Sequence, residues 1–249
     1  MVMRQRLIKR CLITIGLTSS LVITALTPAA THAESFDSLR NLDQRTFEML
    51  ARNLGAATHY KGVIPAESLG VLGLDVGFEL STTEIDQDVF DLASDGSFEA
   101  DALVLPRIHA HKGLPFGLDV GAFLSAIPDT DLSVVGAELR LSLAKGGILK
   151  PAIALRGSYS QVQGIADFEL NNTALELTIS KGFLFFTPYG GVGVVHTNAE
   201  ANFGNLEDEN FTLEKMFVGA SLNAGLGLTV EADRTGDFTT FSAKFGLRF

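Results

Sequence analysis

Phe241-Ser242-Ala243-Lys244-Phe245-Gly246-Leu247-Arg248-Phe249 alternates without interruption. Phe241, Ala243, Phe245, Leu247 and Phe249 fall on one face, and Ser242, Lys244, Gly246 and Arg248 on the other. Period two means a strand, because successive side chains on a pleated chain point to opposite sides. The strand has one wholly apolar face.

The same alternation recurs upstream. Leu72, Leu74, Val76, Phe78 and Leu80 alternate with Gly73, Asp75, Gly77 and Glu79; Leu118, Val120, Ala122 and Leu124 oppose Gly117, Asp119, Gly121 and Phe123. Val135, Ala137, Leu139, Leu141 and Leu143 alternate with Gly136, Glu138, Arg140 and Ser142. Further candidates cover 103–111, 148–161, 169–180, 184–196, 213–223, 226–235 and 238–249, giving about ten strands, with eight and twelve as alternatives. Connections on one side are short and contain His111-Lys112-Gly113, Lys145-Gly146-Gly147, Lys181-Gly182 and Asn223-Ala224-Gly225. The other side takes the two longest connections, about 85–102 and 197–212.

The leader explains what such strands are for. Arg4, Arg6, Lys9 and Arg10 precede an apolar stretch, Leu12 to Leu26, and Thr31-His32-Ala33 supplies small residues for cleavage, the pattern of a secretory signal. Removal of 1–33 takes the formal net charge from −10 to −14, since it removes four basic residues and no acidic one. It also removes Cys11, the one cysteine, so disulfides are not expected to stabilise the mature chain. An acidic balance of this size argues against nucleic acid as a partner. No apolar run of helical spanning length follows Glu34, which leaves a soluble exported protein or one that spans a membrane as strands.

The terminal strand resembles that of bacterial outer-membrane barrels, which ends in Phe with apolar residues at every second place before it. The resemblance implies an antiparallel transmembrane β-barrel in the outer membrane. It also implies that Phe245, Leu247 and Phe249 form an assembly signal read by the barrel assembly machinery, and that outer-membrane lipids and lipopolysaccharide surround the wall. Three segments are expected: a signal peptide over 1–33, a periplasmic helical segment over 34–66 and the barrel over 67–249. Within the second, Leu39, Leu42, Phe47, Leu50 and Leu54 recur at helical spacing over 36–54, with Ser35 or Asp37 as caps, Asp43 as an interruption and Gly55 as the stop. The helix either rests against the inner rim or plugs the barrel; a ten-stranded bore leaves little room, which favours the rim.

The inward parity carries Asp75, Glu79, Asp119, Glu138, Glu176, Glu231 and Asp233 against Arg107, Arg140, Lys150, Arg156, Lys215, Lys244 and Arg248. Charges persist in such a lumen only when paired, so a filled interior is expected rather than a selective pore. Inward Gly73, Gly77, Gly117, Gly121 and Gly136 suit close packing. The repeat Gly73-Leu-Asp-Val-Gly77 and Gly117-Leu-Asp-Val-Gly121 brackets the strand of Arg107, His109 and His111, predicting a cross-strand cluster with Asp75 and Asp119. The two His share a face and also suit a metal, but charge pairing is the simpler reading, so no metal site is assigned and no cofactor is called for.

His196-Thr197-Asn198 is loosely similar to the His-x-Ser-Asn motif of lipid A deacylases, but lacks the serine. Adjacent strand residues point apart, so no catalytic residue is assigned. Residues 84–106 hold seven acids and 197–214 five, with no Lys or Arg in either; their solvated carboxylates offer divalent cations a surface, without the ordered spacing of a calcium loop. The function expected is structural or surface-binding. Transport of a small or apolar molecule is the alternative, and a lipid-modifying hydrolase the third.

Overall fold

The computed structural model describes Leu39 and residues 42–94, 100–126, 132–147, 149–164, 167–202 and 206–249. The leader read over 1–33 lies outside them, as do 36–38, 40 and 41 of the anticipated helix. Ten strands follow one another as antiparallel neighbours: β1 Leu74–Glu84, β2 Ala102–Gly113, β3 Leu118–Ala126, β4 Ser133–Lys145, β5 Ala152–Gln163, β6 Phe168–Ser180, β7 Phe186–Ala201, β8 Glu209–Asn223, β9 Gly227–Thr235 and β10 Phe238–Arg248. The sheet closes on itself where β1 meets β10, with Asp75 opposite Arg248 and Thr83 opposite Thr240. Leu74 N–H donates to the Phe249 carbonyl and Phe249 N–H returns the bond, at 2.7 and 3.0 Å. Among the described residues every strand is paired with a neighbour on both sides, the condition for placing strands in a medium that cannot hydrogen-bond.

The wall is apolar outside and polar inside. Phe78, Ile108, Leu139, Leu175, Val192, Val218, Val230 and Phe241 are exposed on the outer face, while Ser81, Arg107, Arg140, Arg156, Glu176, Lys215 and Glu231 are buried within. Water tolerates contiguous apolar patches of a few hundred Å²; this one runs around the whole sheet. Such a surface is stable against lipid tails. No described helix is long and apolar enough to cross a membrane.

Two segments depart from expectation. The predicted helix stands at Gln44–Thr58 (α1) rather than 36–54. Asp43 does not interrupt it but begins it, its side chain accepting the Thr46 backbone N–H at 2.8 Å, the standard duty of an N-cap carboxylate. Gly55 does not end the helix. A Cβ there would stand 2.7 Å from Thr197 Oγ1, so the glycine lets the helix approach β7. The second departure is α2 (Gln87–Ala93), a short helix in the β1–β2 connection that buries Val89, Phe90 and Ala93.

The placement of α1 corrects the periplasmic assignment of 34–66 for the described part of that segment. The helix lies inside the barrel, packed on β5 to β8 and on β1 and β10. It fits because the lumen around it is lined by short side chains: Ser81, Thr83, Ser160, Thr197, Ala199 and Thr240. Parity alone reported the polarity of these positions and not the room they leave. Gly73 and Gly117 are also reassigned, from inward strand positions to the turns before β1 and β3. Lys150 is exposed in the β4–β5 connection and does not face the lumen.

Candidate functional site

The lumen is filled in two layers. Around α1, toward the rim of long connections, Phe47, Leu50 and Leu54 meet Val134, Val162, Phe168, Leu170 and Ala199 of the wall and Val89 and Phe90 of α2. Phe47 stands edge-on to Phe168 with centroids 6.1 Å apart. This is a small soluble-type core built inside a barrel. Beyond α1 the chain continues as 59–66 toward the short-turn rim, through a layer of ion pairs.

Most wall charges in that layer are ion-paired, while Glu231 accepts from Tyr189 Oη at 2.8 Å. Arg107 Nη1 lies 3.3 Å from Glu79 Oε1, and Glu79 Oε2 faces His109 Nε2. Arg140 grips one Asp119 oxygen through Nε and Nη2, at 3.2 and 2.8 Å. Arg156 pairs closely with Glu176 and, at 3.5 Å, with Glu138. Lys215 Nζ lies 2.6 Å from Glu176, and Lys244 Nζ 2.9 Å from Asp75. His111 Nδ1 is 3.4 Å from Asp75 and its Nε2 3.7 Å from Glu138. The predicted Asp75, Asp119, Arg107, His109, His111 cluster therefore divides: Asp75 goes to His111 and Lys244, Asp119 to Arg140, and Glu79 takes Arg107 and His109. Asp119 reaches across β3–β4, where its register partner is Arg140. Among the described residues no group of His, Cys, Asp and Glu has the arrangement of a metal site.

The central segment is bonded to that layer along its length. Arg107 Nη2 donates to Ala57 O at 2.7 Å, Ser160 Oγ to Thr58 O at 3.0 Å, and Arg140 Nη1 to Pro65 O at 2.9 Å. Tyr60 Oη meets His111 Nε2 at 3.1 Å, and its ring stands edge-on to Phe123 at 5.3 Å. Lys61 Nζ bonds both Asp233 oxygens, at 3.2 and 3.1 Å. At the short-turn rim Ala66 N–H donates to Ser180 Oγ, and Ser68 Oγ and Leu69 N–H both donate to Asp119 Oδ1, each at 3.1 Å. These contacts satisfy backbone groups of an irregular segment that no ladder serves.

The model of a family of unknown function, DUF6588, matches residues 22–249. The chain belongs to that family. No curated protein matches it. Among solved structures, it is similar to the N-terminal β-barrel domain of Pseudomonas aeruginosa OprF, at 12% identity and TM-score 0.37, over 70% of this chain and 97% of that one. It is also similar to Pseudomonas aeruginosa OprG, at 12% identity and TM-score 0.32 over 74% and 99%. The attachment invasion locus protein Ail of Yersinia pestis matches at 11% identity and TM-score 0.30, over 71% and 98%.

In this DUF6588 barrel His59, Tyr60 and Lys61 are the residues that parity could not supply, since they lie in no strand. The inward parity, seven acids against seven bases, shows no deficit; only with Lys150 outside the lumen does the count fall one base short, and Lys61 is the base that restores it. His196 and Thr197 point to opposite faces: His196 Nδ1 meets Thr212 Oγ1 outside at 3.0 Å, and Thr197 Oγ1 donates to Asn172 Oδ1 inside at 2.7 Å. The two cannot serve as base and nucleophile for one another. Phe245, Leu247 and Phe249 face outward as part of the wall.

Proposed function

We propose that this chain is a bacterial outer-membrane barrel with a structural or surface-binding role, closed to conduction by its own segment 44–66. The observation that carries the reading is the Lys61–Asp233 pair, both side chains fully buried. Withdrawing the segment takes from Asp233 its buried cation and from Arg107, Arg140 and Ser160 the carbonyls of Ala57, Pro65 and Thr58, leaving Arg107 only Glu79 and Arg140 only Asp119 among the acceptors named above. Losing one partner of a buried pair costs about 3–5 kcal/mol, so withdrawal is opposed at several points together. In planar bilayers the intact chain is expected to stay silent; reproducible stepwise channels would overturn the reading.

Outer-membrane lipid and lipopolysaccharide are the partners this wall suits, and the outward face of β10 suits recognition during barrel assembly. The latter is checked by comparing membrane insertion of Phe249→Ser with refolding of the same variant in detergent: a role in assembly lowers the first and spares the second. The acidic connections suit divalent cations, and an unchanged melting temperature in calcium and magnesium would remove that partner.

One observation favours a second reading, passage of an apolar molecule along the wall. A depression of about 730 Å³ on the outer face is lined by Leu177, Ile179, Val192, Met216 and Val218, with Arg234 among its polar residues. A lipid retained through purification and lost in Val192→Trp would support it.

A further inference from the structure

The short-turn rim carries side chains that a water-exposed turn does not keep. Its four turns present Phe116, Leu149, Leu184 and Leu226, and the approach to β1 presents Leu72. Phe116 and Leu149 are 93% and 92% exposed, and Leu184 is fully exposed. Phe183, Phe185 and Phe249 add to the same edge. At the opposite rim the β9–β10 turn is polar, built on Gly236 and Asp237.

Two of these tips are held at a conformational cost. Phe116 has φ 66° and Leu184 φ 53°, in the left-handed region where turns use Gly or Asn. A bulky side chain there costs on the order of 1 kcal/mol, and in water it buries nothing in return. The cost is offset if the side chain enters an apolar medium, where a fully buried Leu or Phe side chain contributes about 1.5–3 kcal/mol.

The charge on this rim has one dominant sign. Lys112, Lys145, Lys150 and Lys181 lie between the apolar tips, with Arg248 half-buried beside them; Glu67 is the one acidic side chain there among the described residues that is not buried. Two lysines brace the rim: Lys112 Nζ donates to Val71 O and Gly73 O at 2.7 and 3.1 Å, and Lys181 Nζ to Gly147 O at 2.6 Å. Apolar tips interleaved with ammonium groups match the boundary between acyl chains and anionic headgroups, where lysine stems lie along apolar surface and the charges meet phosphate.

We infer that the short-turn rim is a phospholipid-binding surface, its tips Phe116, Leu149, Leu184 and Leu226 immersed in one leaflet and its lysine ring selecting anionic headgroups. The apolar tips continue the outward face of the strands, so one lipid phase covers both. The inference rests on the outer-membrane reading above.

The chain has no Trp, so Phe116→Trp, Leu184→Trp and, in the wall, Val218→Trp each give a single emitter in the otherwise intact protein. In vesicles of phosphatidylcholine with phosphatidylglycerol, the two tip emitters are expected to be quenched by lipids brominated near the headgroup end of the chain and Val218→Trp by lipids brominated deeper along it, with all three shielded from acrylamide. Both tip emitters open to acrylamide beside a quenched Val218→Trp would overturn the inference and leave the membrane reading standing; an unquenched Val218→Trp would overturn both. Native mass spectrometry from mixed nanodiscs tests the lysine ring. Phosphatidylglycerol should be retained several-fold over phosphatidylcholine, and the Lys112→Gln, Lys145→Gln, Lys150→Gln triple variant should lose that preference. Equal retention of the two lipids by the unaltered chain would overturn the headgroup selectivity.

Discussion

Lys61 Nζ lies 3.1 Å from Asp233 Oδ2, with both side chains fully buried, and so ties the central segment to β9 in the middle of the lumen. Thr235 Oγ1 donates to the other Asp233 oxygen at 3.0 Å. Lys61→Met should lower unfolding stability in detergent by about 3–5 kcal/mol, because it leaves a buried carboxylate without its cation. Replacing both partners, Lys61→Met with Asp233→Leu, should recover most of that loss. Denaturant midpoints of the three variants check this; additive losses would mean that the two residues act separately.

Gly62 is the second point of control. A Cβ at this position would fall on the Arg156 guanidinium and come within 3.2 Å of Glu138 Oε2. Arg156 has little room to retreat, since Glu176 and Glu138 both hold it. Gly62→Leu should therefore unseat the segment while the wall stays closed, because the wall's ladders do not depend on it. The expected result is channel activity in planar bilayers with an unchanged strand signal in circular dichroism. A silent variant of normal stability would show that the segment repacks around the side chain.

How much of this was legible follows from which forces leave a periodic trace. The ten strands were readable because lipid outside and charge inside impose period two on every one, and Phe241 to Phe249 shows it without a break. The rims were readable from connection length and from the Lys-Gly turns. The route of 44–66 was not, because a helix buried on several sides inside a barrel and an amphipathic helix at a rim carry similar apolar stripes. Asp43 and Gly55 read as an interruption and a stop, since sequence distance does not reveal that one is a cap or that Thr197 stands against the other. The division of the charge cluster was hidden for a related reason. Parity places Asp119 and Arg107 inside, but the neighbouring strand decides that Arg140 reaches Asp119 first.

The start of α1 should respond to pH in a defined direction. The Thr46 backbone N–H holds the Asp43 carboxyl below the usual carboxylate range. A depressed carboxyl stabilises the folded form above its unfolded pKa, and that contribution disappears as pH falls through the folded value. The protection of the Thr46 and Phe47 amides, taken as exchange relative to an unstructured chain at the same pH, should thus be full at neutral pH and fall only in acid. Asp43→Asn, which caps without ionising, should flatten the profile. A variant with the unaltered protein's pH dependence would remove Asp43 as its source.

The direction in which the segment crosses the lumen gives the last prediction. Gln44 Nε2 donates to Glu207 O at 3.0 Å and Glu207 N–H donates back to Gln44 Oε1 at 2.8 Å, which fixes the head of α1 at the β7–β8 connection, on the long-connection rim. Ala66 is held by Ser180 at the opposite rim. The segment therefore passes from one end of the barrel to the other, and Arg45, exposed at its head, opens on the same side as the acidic connections. Barrels of this kind turn their longer loops to the cell exterior. With Cys11 replaced, Arg45→Cys should react with a membrane-impermeant maleimide on intact cells, and Lys150→Cys only after the outer membrane is permeabilised. The reverse pattern would place the long connections in the periplasm. An Arg45→Cys that reacts only after permeabilisation, beside a Gly236→Cys that reacts on intact cells, would mean that the segment does not emerge at that rim and that the lumen is closed some other way.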